Sequence, residues 1–158
     1  FLKVKDDSEE VISVPIFAQT RKKLEKRVEL LDSIKIKGKI KKYDNNLEII
    51  PNSAESIEII HVSPVPISCI DKKIGKLVKI KGVVTEKKEL QNGVLRLNIN
   101  KKENNLSIYL QNKIREQKPS DIEIGDLTQF TGKLNSKDNS LALKVKNSRD
   151  IKVLEARR

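Results

Sequence analysis

The chain of 158 residues carries 33 Lys and Arg against 22 Asp and Glu, a formal net charge of +11, with 37% apolar and 3% aromatic residues. No apolar run reaches about 18 residues and the opening FLKVKDD lacks a long apolar core, so neither a spanning helix nor a signal peptide is expected. The expectation is a soluble, cytoplasmic or nucleoid-associated protein of one ordinary domain or two small ones, too short for a large cofactor enzyme.

The chain opens at Phe1 and holds no methionine, so it reads as a piece of a longer translated polypeptide. FLKVK (1–5) and EVISVPIFAQ (10–19) read as strands, RKKLEKRVELL (21–31) as a helix, and SIKIKGKIKKY (33–43) and NLEIIP (46–51) as two more strands joined at Asp44-Asn45-Asn46. A link over 61–70 follows, HVSPVPISC with Pro64 and Pro66, which stiffen an extended segment and block a helix. In KLVKIKGVV (76–84), Val78 and Ile80 alternate with Lys79 and Lys81; in VLRLNIN (94–100), Leu95, Leu97 and Ile99 alternate with Arg96 and Asn98. LSIYLQ (106–111) alternates Leu106, Ile108 and Leu110 with Ser107 and Tyr109. Period two means one buried and one wet face, and the turn signals Gln91-Asn92-Gly93 and Lys101–Asn105 make these three strands a meander. A polar connector, NKIREQKPSDIEIG (112–125), contains Ile114 and a short helix that Pro119 ends, and then come LTQFTGKL (127–134) and SLALKVK (140–146).

The two halves repeat. Residues 34–60 lie over 128–154 without a gap, matching Gly38 with Gly132, Ile40 with Leu134, Leu47 with Leu141 and Ile57 with Ile151. Upstream, at an offset of 92, IFAQ (16–19) matches IYLQ (108–111), which pairs Phe17 with Tyr109. A unit of about 90 residues is a small domain present twice rather than a solenoid. The first copy lacks the counterpart of KLVKIKGVV, so a sheet edge and part of its core are left for a strand from upstream or from another chain. Charge is uneven as well: residues 1–62 hold 12 Lys and Arg against 11 Asp and Glu, and residues 63–158 hold 21 against 11. Such a basic half attracts polyanions, nucleic acid first, although a merely solubilising lysine surface has the same composition.

The order of three strands, a short helix and two strands, with glycine inside VKIKGVV (Gly82), IKIKGKI (Gly38) and TQFTGKL (Gly132), resembles the OB-fold. More narrowly, it is similar to tandem OB-fold single-strand-binding proteins of the replication protein A type and to anticodon-binding modules. The resemblance implies an all-β chain of two tandem five-stranded Greek-key barrels, each with a short helix between strands three and four, the first without its first strand. Domain 1 then covers 1–60 and basic domain 2 covers 71–158. It also implies binding of oligonucleotides on strands two and three, flanked by the loops after strands one and four.

On that face period two places Arg96, Asn98, Ser107, Tyr109 and Gln111, with Lys79 and Lys81 alongside and Lys87, Lys88 and Lys137 on the flanking loops. The first copy offers Lys3, Phe17 and Gln19. Lysines track phosphates and an outward Tyr109 stacks a base, whereas Phe130 shares the inward parity of Leu134. Tyr43 stands beside a turn and is either a stacking ring or an idle surface residue. The expected partner is single-stranded nucleic acid, DNA ahead of RNA, in replication or repair. The alternatives are a protein-docking module, chiefly through domain 1, fused to or recruiting a nuclease or helicase, and a tRNA-binding module. No enzyme is expected: His61 is the one histidine and Cys69 the one cysteine, with no base, nucleophile or zinc-ligand set around them. No cofactor and no metal are expected, the acidic residues Asp6, Asp7, Glu9 and Glu10 reading as a solvated turn.

Overall fold

The structure, a computed structural model, describes residues 1–6, 8, 10–101, 104–111, 114 and 121–157. It divides into unit 1, Phe1–Val28 with Asp32–His61, and unit 2, Glu29–Leu31 with Val62–Arg158.

Unit 1 contains β1 (Leu2–Lys5), β2 (Val11–Val14), helix α1 (Ala18–Lys22), β3 (Ser33–Ile36), β4 (Gly38–Tyr43), β5 (Asn46–Pro51) and β6 (Ile57–Ile60). One sheet has the order β1-β2-β5-β4, with β2 and β5 parallel, and β3 pairs separately with β6. Both sheets are open, so the expected first barrel is not formed. Three boundaries also differ from the expectations. The strand foreseen over 10–19 stops at Val14, because Pro15 brings no N–H to the ladder. The helix foreseen over 21–31 is instead the five-residue α1, since Glu29–Leu31 joins unit 2, with Leu31 at a left-handed φ of 75°. The strand over 33–43 is broken at Lys37, where pairing changes from β6 to β5.

Unit 2 contains β7 (Leu77–Glu89), β8 (Leu95–Lys101), β9 (Asn104–Leu110), β10 (Leu127–Lys137), β11 (Ser140–Val145) and β12 (Ile151–Glu155). Pairing runs β7-β8-β9-β11-β10 and returns to β7, a closed five-stranded circuit in which β9 and β11 are parallel. The alternating residues behave as their period requires: Leu97, Ile99, Ile108, Leu110, Phe130, Leu134 and Leu143 all point into one core. Each such side chain taken from water contributes about 1.5–3 kcal/mol, and together they hold the barrel shut. Ile67 and Ile70, in the segment expected to be a free link, form part of a 3-10 turn (Ile67–Lys73) and seal one end of this core. Ile114 is helical and buried, while Pro119 and the rest of the expected connector helix lie outside the described residues.

β10 turns its corner at Gly132. Along one edge it stays on β7, and along the other it pairs with β12 through Phe130 and with β11 from Lys133 onward. A side chain at Gly132 would meet the carbonyl oxygen of Lys144 at 2.5 Å, so only glycine lets the strands close there. After β10, Asp138 and Asn139 adopt φ of 50° and 60° and make the tight hairpin turn, as Asp44 and Asn45 do between β4 and β5. Asp126 pins the approach to β10. Its carboxylate is buried and accepts the backbone N–H groups of Glu123 and Arg157, each at 2.8 Å, which hold its pKa below the usual aspartate value. Among the described residues no helix is long and apolar enough to cross a membrane.

Candidate nucleic-acid interface

The outer wall of the barrel is built by the residues that alternate with its core. Register sets Lys88 beside Arg96, Arg96 beside Tyr109, Tyr109 beside Lys144 and Lys144 beside Lys133. One lateral row therefore crosses β7, β8, β9, β11 and β10, with a half-exposed ring at its centre and cations on both sides. A second row lies two residues along. There Glu86 accepts from Arg96 Nη2 at 2.8 Å and from the Asn98 amide, while Ser107 Oγ donates to Asn98 Oδ1 at 2.9 Å. Glu86 thus orients Arg96 and Asn98 at once, and its charge offsets part of the guanidinium's.

Beyond the row, Lys133, Lys144 and Lys146 rim a shallow cleft of about 350 Å³ with Leu30 and Leu77 on its walls. Asp150 also faces this cleft, and burial raises its carboxyl pKa above the ordinary aspartate value. The cleft joins a basic rim to apolar surface, which suits a phosphate chain carrying a flat base.

The expected site residues separate into two groups. Lys88, Arg96, Asn98, Ser107 and Tyr109 come together on the wall, Gln111 is exposed just past the end of β9, Lys81 is exposed on β7, and Lys137 stands exposed at the hairpin tip. Lys79 does not face water. It is 2% exposed, and its Nζ lies 2.9 Å from Glu29 Oε2, because Glu29–Leu31 covers that stretch of β7. Lys87 is likewise committed: its Nζ donates to the Ile122 carbonyl at 2.8 Å and lies 3.4 Å from Glu123, tying β7 to the turn before β10. Lys3 is exposed on β1. Phe17, expected to be the twin of Tyr109, is 63% exposed but precedes α1 as its N-cap and sits on no strand. The strand registers explain the mismatch, since Ser13 faces Glu48 as Ser107 faces Ala142, an offset of 94 rather than 92.

Lys133, Lys144 and Glu86 were not singled out by sequence. The signal for Lys144 was its alternation in SLALKVK, which becomes informative once β11 is known to lie beside β9. Elsewhere Phe130 is buried as its parity requires, and Tyr43 is exposed. Cys69 is exposed and unpaired as a thiol. His61 Nδ1 lies 2.9 Å from Asp32 Oδ2, clasping the ends of β6 and β3. In the acidic turn, Ser8 donates its hydroxyl at 2.6 Å and its N–H at 2.9 Å to Asp6, lowering that carboxyl's pKa; Asp7 and Glu9 lie outside the described residues.

No protein-family model and no curated protein matches the sequence. By structure the chain is similar to OBody AM1L10, solved bound to hen egg-white lysozyme, with 13% identity and a TM-score of 0.52 over 62% of this chain and 98% of the OBody. It is also similar to asparaginyl-tRNA synthetase from Pyrococcus horikoshii, solved with asparaginyl-adenylate, with 13% identity and a TM-score of 0.50 over 61% of this chain and 23% of the synthetase. The chain therefore spans under a quarter of that enzyme's length. Together with the closed circuit and its parallel β9–β11 pair, these likenesses establish a fold and not a family: the chain contains an OB-fold barrel.

Proposed function

We propose that unit 2 is a binding module for single-stranded nucleic acid, holding a few nucleotides across β8, β9 and β11. The observation that carries this reading is the registered row Lys88, Arg96, Tyr109, Lys144 and Lys133. Cations on both sides of a ring let phosphates run along the wall while one base stacks, the combination that sequence-tolerant single-strand binders use. The row also lies on the face with which OB barrels meet oligonucleotides. Asn98 donates to Glu86 and accepts from Ser107, so these polar groups near the ring are already engaged with one another, in keeping with a wall that reads neither base nor sugar. DNA and RNA strands are both substrates on this reading, and the likeness to a tRNA synthetase is in keeping with the second.

The test is fluorescence anisotropy with labelled oligo-dT and oligo-rU over a range of salt. Four cations on phosphates give a slope of log affinity against log salt of about −3. Tyr109→Ala weakens both strands alike by about tenfold, the loss of one stacked base. Lys133→Glu with Lys144→Glu weakens them further and flattens the slope by about 1.5. Unchanged titrations for both variants would overturn the proposal.

A further inference from the structure

Two aspartates of unit 2 are drawn partly or wholly out of water and are served differently. Asp126 is 2% exposed and well supplied, since the N–H groups of Glu123 and Arg157 both donate to it and hold its pKa low. Asp150 faces the cleft beside β10 and β11 with one side-chain donor, the Asn147 amide at 3.4 Å from Oδ2, and among the described residues no lysine of the rim pairs with it. Burial raises its pKa, the sign of a carboxylate with fewer donors around it than its desolvation requires.

The fold opens the cleft at this spot. β12 pairs with β10 as far as Phe130 and β11 pairs with it from Lys133, while the 3-10 turn Ser148–Asp150 bridges the two strands. Thr131 and Gly132 are thus left without a strand partner on that edge. These two residues floor the cleft between Leu30 and Leu77, and its rim includes Lys133 and Lys144, the last two cations of the row on the wall. At about 350 Å³ it lies at the small end of ligand sites of about 300–1,000 Å³, with room for one nucleotide rather than a run of them.

Charge and hydrogen bonding together select the occupant. The lysines draw a phosphate to the rim, while an ionised Asp150 repels it and accepts only donors. Among the common bases guanine alone presents two adjacent donors, N1–H and the N2 amine, on its pairing edge. Thymine and uracil set one N–H between two carbonyl oxygens, and adenine and cytosine each set an amine beside a ring acceptor. A carboxylate takes the two donors of guanine as a bidentate, charge-assisted pair, and the leucines cover the faces of the ring. We infer that this cleft is a guanine-selective subsite: it takes one guanine of a bound single strand, with Asp150 accepting from N1–H and N2–H and the rim lysines on the flanking phosphates. The subsite rests on the single-strand reading of unit 2 and adds to it a base preference that the wall does not supply.

The experiment titrates the 158-residue chain into labelled oligo-dT strands of about nine nucleotides. Their central base is thymine, adenine, cytosine, guanine or hypoxanthine, and anisotropy reads the affinity. The guanine strand is expected to bind about tenfold tighter than the thymine, adenine and cytosine strands, within the range of one bidentate base contact. Hypoxanthine, which keeps N1–H and lacks the N2 amine, loses most of that gain. Asp150→Asn, equal in size, brings the guanine and thymine strands to the same affinity. Oligo-dT binding without a guanine gain, an equal gain with cytosine or hypoxanthine, or a gain that survives Asp150→Asn would each overturn the subsite and leave the wall standing. Failure of every strand to bind would overturn both.

Discussion

Two lysines that alternate identically in the sequence have different roles once the chain is folded. Lys81 projects into water, whereas Lys79 lies under Glu29–Leu31 and forms an ion pair whose second member is 26% exposed. Lys79→Met should therefore leave nucleic-acid affinity and its salt slope unchanged while lowering stability by about 2 kcal/mol. That is less than the 3–5 kcal/mol of a fully buried pair, because Glu29 keeps solvent and Lys152 stands 3.7 Å away. Urea unfolding followed by circular dichroism, beside the anisotropy titration, measures both effects; a loss of binding without a loss of stability would contradict the placement. Tyr109 was legible because Ile108 and Leu110 claim the core by parity. The covering of Lys79 was not legible, since it depends on a segment fifty residues upstream that the repeated element order reads as helix.

At the level of elements, what period two and turn chemistry control was readable, and what tertiary contacts control was not. The strands of the barrel follow alternation, and both Asp-Asn turns fall where the left-handed backbone needs them. The failures are at the end of β2, at α1 and at Lys37, where Pro15, the capture of Glu29 and the change of pairing from β6 to β5 override local propensity. Gly38 and Gly132 stand out in the sequence as glycines inside strands, and their geometry gives the reason: a Cβ at Gly38 would stand 2.3 Å from the Ile50 carbonyl oxygen, just as one at Gly132 meets that of Lys144. Both contacts are to backbone, so relief requires moving a strand. Gly132→Ala should separate β10 from β11 at the seam and cost about 1–3 kcal/mol, the range for forced overpacking. It should also displace Lys133 and Lys144 and so weaken nucleic-acid binding, whereas Gly82→Ala, whose nearest foreign atom is the Ile99 side chain at 3.2 Å, should be milder. A Gly132→Ala protein as stable as the parent would show that the seam is looser than its distances imply.

The molecule as a whole joins a closed sheet to an open one, and this asymmetry has a measurable consequence. In unit 2 the closed circuit leaves its core residues no edge from which to fray, and apolar side chains from all five of its strands share one cluster. In unit 1 the buried apolar side chains are few, chiefly Val14, Ala54, Ile57 and Ile59, while Val11, Ile40 and Leu47 are exposed. Local opening costs little where few apolar contacts are lost and much where the whole cluster must part. Native-state hydrogen exchange should therefore divide the chain: amides of Leu97, Ile99 and Ile108 exchange only through global unfolding of the barrel, about a thousandfold more slowly than those of β1 and β4. Destabilising the barrel with Gly132→Ala should speed the first set and leave the second alone, because the two are limited by different openings. Equal protection across both units, or a parallel response to that substitution, would mean that the chain unfolds as one cooperative body and that the open sheet draws its stability from the closed one.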